Sequence, residues 1–139
     1  MSQIIAKIED IESVASLNIV RFSCAGQILQ MVSLELSDAM RQGRSVTLAC
    51  KPTSVALAKP AIPLEDFSAM LSYSNQLNVE IVSIEQGALL SSVMLRLGEF
   101  MLESITSTES IDRLGLKEGD RVLALIKANE LSILEVRDA

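Results

Sequence analysis

The sequence predicts an all-β protein made of two copies of one unit of roughly 65 residues. Three observations predict it. Apolar residues alternate with polar ones in short runs, as in half-buried strands. Glycine-containing turns punctuate those runs. A stretch near the C-terminus, Asp120 to Ile133, is echoed by Arg44 to Leu57 near the middle. Both stretches run through an apolar strand to a lysine, then a short turn and a second apolar strand. Gly43 and Gly119 each stand eight residues before their lysines, Lys51 and Lys127. Upstream, Val32-Ser33-Leu34-Glu35 aligns with Thr106-Ser107-Thr108-Glu109 if the first copy lacks two residues, and Ile4–Ile11 resembles Leu77–Ile84.

In the second copy, Leu77, Val79 and Ile81 alternate with polar neighbours and predict the first strand. Gln86-Gly87 supplies a turn, and Val93, Leu95 and Leu97 predict the next strand. Gly98-Glu99 turns the chain into a third strand over Phe100–Ile105. Ser110 to Leu116 reads as about two turns of helix with Gly115 near its C-terminal cap. Thr106 and Glu109 have the spacing of a capping box at its start. Strands around Val122–Ile126 and Leu131–Val136 complete the unit. Five short strands and one helix are the inventory of an OB-like barrel, so the expected architecture is two tandem five-stranded barrels, each with one short helix. The expected boundaries are 1–59 for the first repeat, 60–69 for a linker and 70–139 for the second repeat. Pro60 and Pro63 make the start of the linker extended, and Leu64 and Phe67 are candidates to dock on a barrel.

Composition narrows function. Hydrophobic residues make up 49% of the 139, aromatics only 3%, and Trp and His are absent. The cores must therefore be aliphatic. Without His, zinc and copper sites lose their commonest nitrogen ligand, and nucleophilic triads lose their base. Cys24 and Cys50 have no companions at metal-ligand spacing and are expected to be reduced and buried. No apolar run approaches the roughly 20 residues that span a bilayer, and the N-terminus lacks a signal-peptide pattern. These features predict a cytoplasmic protein without membrane insertion. Net charge is −6; residues 70–139 hold six basic and eleven acidic side chains. That balance, with Tyr73 and three Phe as the only aromatics, argues against nucleic acid. Carboxylates such as Glu80, Glu103 and Glu109 form no pair that spacing places together, so no enzyme is expected. An anion site on such a surface must be a local pocket of directed donors.

Three segments of the second copy carry polar residues that a core does not require. They are Ser72-Tyr73-Ser74-Asn75-Gln76, then Thr106-Ser107-Thr108-Glu109-Ser110, and Lys127. Individually they read as a polar loop, a helix cap and a surface lysine. Together they supply hydroxyls, backbone amides and one cation, the groups that a tetrahedral oxyanion needs.

These residues resemble the molybdenum-pterin-binding (Mop, or TOBE) domain family. Its pattern opens Ser-Ala-Arg-Asn-Gln, continues Ile-Thr-x-x-Ser before Leu-Gly-Leu, and ends Ile-Lys-Ala-Ser. The counterparts here are Ser72-Tyr73-Ser74-Asn75-Gln76, then Leu114-Gly115-Leu116, and Ile126-Lys127-Ala128-Asn129. The resemblance is close over residues 71–134 and degenerate over 2–59, so the whole is similar to a tandem di-Mop protein. It implies binding of molybdate or tungstate between domains in rings of six, hence a homo-oligomer of three two-domain chains. It implies no catalytic cofactor, no direct side-chain coordination of metal, and a role in molybdenum homeostasis, storage or delivery. Carried over by position, the oxyanion-binding residues are Ser72, the backbone at Tyr73, Ser107, Ser110 and Lys127. Ser107 keeps the hydroxyl of the family's threonine; Ser74 replaces the family's arginine. In the first copy Ser33 and Lys51 match as a partial site, while Leu36 replaces the second serine. The alternative is a TOBE-type interaction or regulatory module of a molybdate transport system with weak or lost anion binding.

Overall fold

The computed structural model describes residues 2–137, which form two five-stranded antiparallel sheets. The first repeat supplies β1 (Ser2–Val14), β2 (Leu17–Cys24), β3 (Gln27–Ser33), β4 (Ser45–Cys50) and β5 (Ala56–Ala58). A short helix α1 (Leu64–Ala69) follows. The second repeat supplies β6 (Asn75–Gln86), β7 (Leu90–Leu97), β8 (Phe100–Ser107), α2 (Thr108–Leu114), β9 (Arg121–Ile126) and β10 (Ser132–Val136). Ile4, Ala6 and Ile8 on β1 are buried, as are Leu77, Val79 and Ile81 on β6, as their period-2 spacing requires. By contrast, β4 and β9 are buried almost continuously, over Val46–Cys50 and Val122–Ile126. Each lies within its sheet and has a layer of protein on both faces, which its unbroken apolar run permits. Cys24 and Cys50 are buried free thiols, and burial raises the pKa of both.

The duplication persists in fine detail. The register β1/β2 shifts between Ile8 and Asp10, and β6/β7 shifts between Ile81 and Ser83. These matched bulges bend the long first strand of each repeat, as closure of a small barrel requires. At each bend a glycine donates to that strand: Gly43 to the Ile8 carbonyl at 2.7 Å, and Gly119 to the Ile81 carbonyl at 2.8 Å. Their φ angles of 90° and 88° explain why both positions need glycine.

Three expectations are corrected. The final strand does not complete its own repeat. The order β10-β4-β1-β2-β3 places it in the first sheet, while β5-β9-β6-β7-β8 places β5 in the second. The repeats have exchanged their fifth strands. Second, the first repeat has turns, not a helix, over residues 34–44. Third, the alignment of the two copies shifts by one residue there. Asn18 pairs with Ser33 as Ser91 pairs with Thr106, and Leu17–Leu34 would correspond to Leu90–Ser107. The first copy therefore lacks three residues in this stretch, not two, which leaves too little chain for the helical turns of α2.

The prolines keep residues 60–63 out of helix, and α1 begins directly after Pro63. Phe67 is half-buried, whereas Leu64 remains 43% exposed. Side chains also stitch the units together. Asn75, fully buried, accepts from the Gln30 N–H at 2.6 Å and donates to the Gln30 carbonyl at 2.9 Å. At the position related by the repeat, the Ser2 hydroxyl accepts from the Glu103 N–H at 2.8 Å. Both contacts satisfy backbone groups on an edge strand that would otherwise be unpaired.

Candidate functional site

One group of donors gathers where β8 meets α2. Ser107 ends the strand in extended geometry and caps the helix: its Oγ accepts from the Ser110 N–H at 3.2 Å. The cap is therefore Ser107, not the Thr106 that the capping-box spacing suggested. The helix spans Thr108–Leu114, two residues earlier than its expected start at Ser110, with Gly115 as its left-handed C-cap. The hydroxyls of Ser107 and Ser110 lie 2.7 Å apart. One proton serves that mutual bond, which leaves the other hydroxyl free to donate outward. Glu109 is occupied elsewhere, in an exposed pair with Arg113 at 2.6 Å. The Arg113 guanidinium also reaches the Ser110 hydroxyl at 3.5 Å. The sequence reading missed this cation, although its i, i+3 spacing from Ser110 was a signal.

The second group lies at the start of β6. Asn75 pairs with Ile126, so residues 72–74, just before β6, and Lys127, just after β9, share one end of the sheet. Ser72 and Ser74 are exposed and Tyr73 is half-buried. Lys127 is exposed at the entry to a 3-10 turn, Ala128–Glu130, and has no ion pair among the described residues. Asn75 and Gln76, the rest of the motif, point into protein. Gln76 donates to the carbonyls of Tyr73 at 2.9 Å and Ser68 at 3.3 Å.

The two groups stand apart. Asn75 is at one end of β6; at the other end Gln86 pairs with Ser91, next to the Leu90–Ser107 pair. Twelve residues of strand separate them, a contour of about 35 Å at roughly 3.3 Å per residue. A single chain thus brings Ser72, Tyr73 and Lys127 together at one end of β6, and Ser107 with Ser110 at the other.

The first repeat repeats this layout with different chemistry. Lys51 is exposed and follows β4. It borders a cleft of about 270 Å³ with Cys50, Ser54, Asn129, Glu130 and Ser132, where the short turns of the two repeats face each other. Ser33 corresponds to Thr106, and its hydroxyl closes a local turn, donating to the Glu35 carbonyl at 2.5 Å and accepting from the Glu35 N–H at 3.2 Å. Leu34, 70% exposed, occupies the place of Ser107. The helix-start hydroxyls have no counterpart in this repeat. Among the described residues, no group of three or more Cys, Asp or Glu could hold a metal ion.

The TOBE domain pattern matches residues 71–133. The chain is 35% identical over 65 residues to molybdenum-pterin-binding protein 1 of Clostridium pasteurianum, spanning 46% of this chain and 96% of that protein. Molybdenum-pterin-binding protein 3 of the same organism is 37% identical over the same shares. Among solved structures, the cytoplasmic molybdate-binding protein ModG, crystallised with molybdate bound, superposes with a TM-score of 0.82 at 25% identity. That match covers 94% of this chain and 93% of the other. The 65 residues shared with those relatives make up nearly their whole length and about half of this chain, whereas the likeness to ModG spans both sheets. With its duplicated barrel, its Ser72–Gln76 opening and its Lys127 turn, the chain belongs to the molybdenum-pterin-binding (Mop/TOBE) family.

Proposed function

We propose that this protein binds molybdate or tungstate without catalysing a reaction, and serves molybdenum homeostasis, storage or delivery in the cytoplasm. The observation that carries this reading is a pair of donor groups, one at each end of β6. One combines the Ser72 hydroxyl, the backbone at Tyr73 and the unpaired ammonium of Lys127. The other combines the Ser107 and Ser110 hydroxyls at the helix start. Molybdate near neutral pH is fully deprotonated, so it accepts hydrogen bonds and donates none. The Lys127 ammonium and a backbone N–H can only donate, and serine hydroxyls can turn their O–H toward the ion, so these groups suit it. The charge-assisted bond from Lys127 is the strongest contact in this set.

Each group is half of a site. The ends of β6 are too far apart to share one ion, so a complete site takes its second half from another copy. An assembly of three two-domain chains supplies such junctions. ModG is described as cytoplasmic, and among the described residues no helix is long and apolar enough to cross a membrane; both support the location. The position of Leu34 supports a minor role for the first repeat, since Lys51 there lacks a hydroxyl-bearing helix start as partner.

Titration calorimetry with molybdate, tungstate and sulfate, repeated on Lys127→Ala, tests the reading. Loss of one charged hydrogen bond should weaken molybdate binding at least tenfold, about 1.4 kcal/mol. Absence of binding heat for every oxyanion would leave an interaction module as the better description.

A further inference from the structure

Residues 72–74 lie outside any helix or strand, yet the proposed site draws its donors from them. Apart from Gln76, no hydrogen-bonding partner reaches these three residues among the described ones. The Gln76 amide nitrogen bridges the Tyr73 carbonyl and the Ser68 carbonyl at the end of α1. Its orientation is fixed by chemistry: turned over, the amide would set its oxygen against two carbonyl oxygens. The cost of this orientation is visible, because Gln76 Oε1 is buried with no partner.

A trans peptide directs its N–H opposite to its carbonyl, and no cis bonds occur here. With the Tyr73 carbonyl held by Gln76, the Ser74 N–H of the same peptide points away from Gln76 and meets no acceptor among the described residues. We propose that Gln76 is a positioning residue for the oxyanion site, and that it acts by presenting the Ser74 backbone N–H as a further donor. Ser74 stands where the family pattern has arginine, so a backbone donor takes up part of the role of a missing side chain. This inference rests on the oxyanion reading above.

The test combines calorimetry with amide NMR on the full chain, using molybdate as probe. In the unaltered protein, saturation with molybdate should shift the Ser74 amide signal downfield. Gln76→Met keeps the side-chain length but removes the donor. It should bind molybdate roughly fivefold or more weakly, the scale of one neutral hydrogen bond, and its Ser74 signal should no longer respond. Gln27→Ala removes a comparable tie, from a side chain to the Asn78 backbone at 2.8 and 2.9 Å, and should bind normally. Gln76→Met binding within twofold of the unaltered protein, or a Ser74 amide blind to molybdate, would overturn the proposal while leaving the oxyanion reading intact. If Gln76→Met does not fold, the Ser74 response of the unaltered protein still decides. A protein that binds no molybdate at all would remove both ideas together.

Discussion

At the scale of single residues, Asn75 separates two jobs that the motif Ser72–Gln76 runs together. Ser72 is exposed and available to a ligand, whereas Asn75 is fully buried. Its amide imitates a strand neighbour for Gln30, taking one N–H and one carbonyl at once. Asn75→Ala would strand both groups at a buried junction, at a cost of about 2 kcal/mol. Urea unfolding should show that loss, and Ser2→Ala, which removes only one acceptor facing Glu103, should cost less. Equal stability for Asn75→Ala and the unaltered chain would mean that water substitutes for the amide. Ala25 and Gly98 meet in the same spirit. They are equivalent positions in the two β-turns, and a Cβ on Gly98 would come within 2.7 Å of the Ala25 Cβ.

At the scale of elements, the exchange of β5 and β10 decides what can fold alone. β5 pairs with β9 through Ala56–Leu125, Leu57–Ala124 and Ala58–Leu123. β10 pairs with β4 through Ser132–Ala49 and Ile133–Leu48 in the corresponding register. A fragment of residues 70–139 therefore retains β10 but loses its partner β4, and exposes the edge of β9. Two such fragments can satisfy each other, each giving its β10 to the other's β9. We expect light scattering to find a dimer of this fragment, with no folded monomer at low concentration. A stable monomer would show that β10 can turn back onto its own β9. The boundaries at residues 59 and 70 mark repeats of sequence; the sheets cut across them.

For the whole molecule, charge and site geometry pull in opposite directions. A net charge of −6 disfavours both anion capture and self-association, so the proposed contacts between copies must be short-range. Exposed Val14, Leu17 and Leu34 on the first unit, and Leu89 and Leu90 on the second, offer apolar surface for such contacts. Leu90 pairs directly with Ser107, which sets the apolar residue beside the proposed half-site. Light scattering of the full chain should give three times the chain mass. A monomer that nonetheless binds molybdate with full affinity would refute a site shared between copies.

The amino-acid sequence alone was enough for the strands and the duplication, because each is written locally. Alternation marks Leu77, Val79 and Ile81; Gly43 and Gly119 mark equivalent bends; Ser72 and Lys127 belong to short contiguous motifs. Three things required the tertiary structure: the exchange of fifth strands, the one-residue slip that puts Leu34 where Ser107 was expected to have a partner, and the distance between the two donor groups. Strand partnership is a choice among equivalent edges, and two copies of one sequence offer the same edges twice. Only packing selects between them, and only the completed sheets reveal which side chains share an end.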